Sequence, residues 1–153
     1  MLTQADKAIP IPDLSSRPHD STAGRVINVP AEALYRAFTT GIDGWFATPG
    51  TLAMTEEIGA PYFFETQHAG QRHPHYGRFL RLEPGRLVEL TWVTGKGGTE
   101  GAETVLTVEL SPRDGGTLLK LRHAGFPHEE AARENQEAWR GPVLDALDEH
   151  VRG

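Results

Sequence analysis

The sequence predicts an α+β fold: one antiparallel sheet of about seven strands, covered on one face by a long C-terminal helix, with two short helices after the first strand. Three observations carry this. Apolar and polar residues alternate with period two between short turn-rich separators from residue 51 to residue 123. A β-rich run passes directly into helical spacing at Pro30, and from His128 onward apolar residues recur at spacings of seven and four.

Residues 1–13 hold Pro10 and Pro12 and no sustained period, so they read as an extended arm ahead of a single domain over 14–153. The run 25–29 (Arg-Val-Ile-Asn-Val) is the first strand. Pro30 suits a first helical turn, where its missing N–H is not needed, and Leu34, Ala37 and Phe38 then follow at helical spacing. Gly41, Gly44, Pro49 and Gly50 leave room for one further short helix, around Trp45 and Phe46. Strands are expected at 51–55, 62–67, 75–82, 86–93, 104–110 and 117–123. Their connections, such as Ala69-Gly-Gln and Glu83-Pro-Gly, are short enough to require antiparallel neighbours in a meander.

Alternation assigns the faces. Val88, Leu90 and Trp92 oppose Glu89 and Thr91; Leu106, Val108 and Leu110 oppose Thr107 and Glu109; Leu119, Leu121 and His123 oppose Lys120 and Arg122. Tyr62 and Phe64 share one parity, Phe63 and Glu65 the other, and keeping the carboxylate out of the core turns Tyr62 and Phe64 inward. The apolar face needs a cover. The segment 128–151 supplies it through Ala132, Trp139, Val143, Leu147 and Val151, with a kink expected where Pro142 removes a helical hydrogen bond.

Composition narrows the function. The chain has 153 residues, 38% of them apolar, with a net charge of −6 and no cysteine. Thiol nucleophiles and thiolate metal sites are therefore out. An acidic chain without a basic cluster argues against nucleic acid, and no apolar run is long enough to span a bilayer, so a cytoplasmic protein is expected. No nucleophile elbow, phosphate loop or dinucleotide fingerprint is present, and no cofactor is implied. His73 and His75, with His68 nearby, have a spacing that metal sites use, but Pro74 suggests a loop edge with both rings in water, and no metal site is assigned. Gly95-Lys-Gly-Gly reads as a flexible hairpin end. His123 falls on the apolar face, where burial disfavours its charged form unless a partner such as Glu129 or Glu130 reverses this.

The ordered set of local motifs resembles the activator of heat-shock-protein-90 ATPase homologue family, within the START-like (SRPBCC), helix-grip superfamily. The matching pieces are Arg25-Val-Ile-Asn-Val-Pro-Ala-Glu-Ala-Leu-Tyr-Arg-Ala-Phe-Thr, Trp45-Phe-Ala, Gly77-Arg-Phe-Leu-Arg-Leu-Glu-Pro-Gly-Arg-Leu-Val-Glu-Leu-Thr-Trp, Gly116-Thr-Leu-Leu-Lys-Leu-Arg-His-Ala-Gly-Phe, and Ala138-Trp139. Gln136, Ala138 and Pro142 depart from the usual helix pattern. The resemblance implies a strongly bent sheet gripping the long helix, with a hydrophobic cavity between them. Trp45, Phe46, Trp92 and Trp139 would wall that cavity, together with Phe64, Phe79 and Val143. Tyr62 and His123 would supply polar groups. The function expected is a non-catalytic binding module for an apolar or amphipathic small molecule. One alternative is a protein-interaction module with a chaperone partner, using the polar sheet face. Another is a cyclase- or hydrolase-like enzyme with His123 or Tyr62 as acid or base.

Overall fold

The computed structural model describes residues 9–153, so the part of the expected arm over 1–8 lies outside the described residues. Seven strands form one antiparallel sheet in the order β1-β7-β6-β5-β4-β3-β2. They are β1 (His19–Ile27), β2 (Ala53–Met54), β3 (Pro61–His68), β4 (Gln71–Glu83), β5 (Leu87–Trp92), β6 (Thr104–Arg113) and β7 (Gly116–Phe126). Helix α1 (Ala31–Ala37) and a 3-10 turn (Ile42–Gly44) lie between β1 and β2. The C-terminal rod comprises α2 (Glu129–Ala138), one π-helical turn (Trp139–Val143) and α3 (Leu144–Arg152). No helix among the described residues is long and apolar enough to cross a membrane.

β1 begins six residues before the expected start and ends two before the expected end. Its inward positions at the early end are Ser21 and Ala23, both buried, and such small side chains leave no hydrophobic period to read. As an edge strand β1 would present unpaired backbone groups. The C-terminal rod satisfies those of Thr22: Gln136 Oε1 accepts from Thr22 N–H at 3.0 Å and Arg140 Nε donates to Thr22 O at 2.9 Å. The second short helix also shifts, closing at Gly44 just before Trp45 instead of around it.

The inner face follows the alternation. Cross-strand register sets Phe79 against Leu90, Leu90 against Leu106, and Leu106 against His123, an inward row that is almost wholly buried. On the outer face Arg81, Glu89, Thr107 and Arg122 form the corresponding row, with Arg81 bidentate on Glu89 at 2.9 and 3.1 Å. Thr91 departs from its outward assignment in being fully buried. Gly77 explains this, because a Cβ there would lie 2.2 Å from Thr91 O, so only glycine lets β4 come this close. The register of β4 on β5 shifts between Phe79 and Arg81, and such a bulge bends the strand and increases its twist. The first half of β4, which carries β3 and β2, thereby departs from the line of its second half. Residues before β1 are tied to the sheet: Arg17 donates to Gly125 O and Glu103 O, each at 2.7 Å, and Arg78 donates to Pro10 O.

In the rod, Pro142 lies inside the π-helical turn, where the wider ring accommodates the missing N–H. The expected break is therefore present, with one residue more than a plain kink would need. The extra residue moves the buried stripe from Val143, half-buried, to Leu144, fully buried, before it continues at Leu147. Arg25 fastens α3 to β1 through Asp145 at 2.8 Å and Asp148 at 3.4 Å.

Candidate binding chamber

Between the sheet and the π-helical turn lies a chamber of about 140 Å³. Phe46, Trp92, Phe126 and Trp139 give it aromatic walls, Val143 and Ala138 add aliphatic surface, and His75, His123 and Asn135 supply polar groups. Trp139 lies nearly parallel to Phe46 at 6.1 Å and to Phe38 at 6.1 Å, which fixes the indole where the rod changes pitch.

The fourth side is the β5–β6 loop. Thr94, Gly98 and Thr99 line the chamber, and the two threonines exchange backbone-to-hydroxyl hydrogen bonds at 2.8 and 2.9 Å. A Cβ on Gly98 would lie 2.1 Å from Thr94 Oγ1, so this clasp requires glycine. The same loop reaches the rod at Glu100, whose Oε2 lies 3.0 Å from His128 Nε2. His128 Nδ1 meanwhile caps α2 by accepting from Ala131 N–H. The loop expected to be a flexible hairpin end is thus a fastened wall.

His123 is fully buried, and Thr104, not Glu129 or Glu130, is its partner. Thr104 Oγ1 donates its single proton to Trp92 O, so at 2.7 Å it accepts from His123 Nε2–H. This leaves Nδ1 with its lone pair, buried and without a hydrogen-bond partner. Burial pushes the imidazole pKa down to about 3; Asn135 lies close enough to oppose this in part, and the nearby His75 adds to it.

His75 overturns the expectation of a solvated loop edge. It lies within β4, directly opposite Phe64, with its ring stacked on Phe64 at 4.9 Å and edge-on to Trp92 at 5.3 Å. Burial lowers its pKa to about 4, against a smaller opposing effect of its bond to His73 O. His73 stays only half-buried. Among the described residues no three His, Asp or Glu side chains converge as metal ligands.

Of the nine residues expected to line a cavity, Phe46, Trp92, His123, Trp139 and Val143 meet here. The other four do not. Tyr62 donates its phenol proton to Thr91 O at 2.7 Å, and burial holds its pKa well above the usual value, so its hydroxyl is already engaged. Phe79 is wholly buried in the inward row, and Phe64 lies behind the chamber walls, packed against His75, Phe46 and Trp92. Trp45 turns its indole N–H to Ala37 O at 2.8 Å, outside the chamber.

A larger depression, about 830 Å³, lies on the opposite face of the sheet. Arg81, Lys120, Arg122 and Arg140 line it with Glu89 and Glu109; Arg81 is paired with Glu89 within it, and Arg122 with Asp20 beyond its lining.

Residues 28–152 match the family model described as Activator of Hsp90 ATPase homolog 1-like protein. Similar solved structures include protein CV1439 from Chromobacterium violaceum, 25% identical, with 89% of this chain and 99% of that chain covered at a TM-score of 0.75. Protein MLL2253 from Mesorhizobium loti is 20% identical over 88% of this chain and 97% of that chain, with a TM-score of 0.68. CalU16 from Micromonospora echinospora is 25% identical over 86% and 75%, with a TM-score of 0.64. No curated protein matches the chain. With its bent seven-stranded sheet closed on a long C-terminal rod in the helix-grip arrangement, the chain belongs to the Activator of Hsp90 ATPase homolog 1-like family.

Proposed function

We propose that the protein is a non-catalytic binding module that holds one small, mostly apolar molecule in the chamber between the sheet and the π-helical turn. The observation that carries this reading is the chamber itself: a space of about 140 Å³ with aromatic walls and a few polar groups among them. A cavity of about 150 Å³ with apolar walls is enough for one benzene. The ligand is accordingly a single ring or a molecule of similar bulk, smaller than the amphipathic compounds expected from the sequence.

Toluene titration followed by the indole N–H resonances of the three tryptophans tests it. Saturable shifts at Trp92 and Trp139, with Trp45 unmoved, are expected. Ala138→Leu, which adds bulk to the chamber wall, should abolish those shifts while leaving the fold intact. Absence of saturation in the unmodified protein contradicts the proposal.

A further inference from the structure

The tautomers of the two chamber imidazoles specify what the bound molecule must offer. His75 Nδ1 lies 3.1 Å from His73 O, and because a carbonyl only accepts, Nδ1 carries the proton and Nε2 keeps a lone pair. His123 has the opposite tautomer for the same kind of reason. Its Nε2–H is spent on Thr104, whose own proton is spent on Trp92 O, and Nδ1 is left as a buried acceptor without a partner. Both rings line one chamber, and no acidic or basic side chain lines it with them.

We infer that the chamber selects an uncharged, ring-sized hydrogen-bond donor, of the phenol or aniline class, whose O–H or N–H is received by His123 Nδ1 or His75 Nε2. This rests on the proposed binding function and adds the chemistry of the ligand. An ether, ketone or carboxylate could be met by an amide N–H of Asn135, whose Oδ1 already accepts from Ser21, but would leave both imidazole lone pairs unpaired. An ammonium would donate, but it would enter an apolar space with no carboxylate to balance it. The depressed imidazole pKa values keep both rings neutral, so the lone pairs persist throughout the physiological range. Sites built to pair a hydroxyl discriminate strongly against analogues that lack it, because the site's polar groups are then stranded.

Phenol, anisole and toluene, similar in bulk, separate the possibilities when titrated into the full chain by calorimetry, with the histidine ring 15N resonances recorded in parallel. Phenol is expected to bind at least about tenfold more tightly than toluene or anisole. It should also shift the unprotonated 15N resonance of His123 or His75, which toluene leaves in place. Equal affinities with no ring 15N response overturn the donor assignment while leaving the binding chamber standing. A His123 Nδ1 resonance already hydrogen-bonded in the free protein, with Asn135 as donor, overturns the part assigned to His123. If none of the three compounds binds, the chamber reading falls and this inference with it.

Discussion

His75 and His123 are the residues on which the chamber's chemistry turns, and both are stable only as neutral rings. Their folded pKa values, about 4 and about 3, lie below the ordinary 6.5, so the unfolded chain binds protons that the folded chain does not as pH falls from 6.5. Stability is therefore fully present above pH 6.5 and is lost progressively toward pH 3–4. On this linkage each ring costs on the order of 3 kcal/mol at pH 4, before the carboxylates are considered. Urea midpoints measured from pH 7 to pH 4 should fall steeply, and His75→Phe should flatten the fall by removing one of the two rings. An unchanged slope in that variant would place the ring in water. The position of His75 was legible in principle. Ala69 and Gly70 as a two-residue turn pair His68 with Gln71, and counting back sets His75 opposite Phe64, a residue that alternation already turns inward. Pro74 obscured it, because proline suggests a loop, yet it is tolerated within this strand opposite Glu65.

At the scale of the element, the C-terminal rod shows what periodicity reveals and what it hides. Trp139 and Leu147 stand out as core positions from spacing alone, and Pro142 marks the break. The π-helical turn does not stand out, because one added residue is invisible to a pattern that tolerates steps of three or four. The added residue nevertheless sets the register of α3, burying Leu144 and Leu147. Deleting Gly141, whose Cβ position is open space, would restore a plain α-helical count and rotate α3 by about 100°. The expected loss is that of a buried leucine truncation or more, about 2–5 kcal/mol, read as a lowered denaturation midpoint. Arg25 would also lose its reach to Asp145. A deletion that leaves the midpoint unchanged would mean that the turn has no part in seating α3.

For the whole molecule, the sheet, its two faces and its covering rod were legible because each rests on repetition along several residues. The chamber was only half legible. Its walls from the sheet and the rod, Trp92, His123 and Trp139, came from alternation and spacing, and the family resemblance supplied the cavity. Its remaining wall, the loop at Thr94, Gly98 and Thr99, has no period and is fixed by a hydroxyl clasp that only the folded chain displays. Tyr62 illustrates the converse: alternation places the ring inside, but not its hydroxyl on the carbonyl of a strand two places away. Among the concave surfaces of the molecule are thus a charged one outside and a small aromatic one within. A crystal soaked in bromobenzene and measured at the bromine edge distinguishes them most directly. One anomalous peak enclosed by Phe46, Trp92, His123 and Trp139 is the predicted result; no peak there, or bromine found only on the outer face of the sheet, would contradict it.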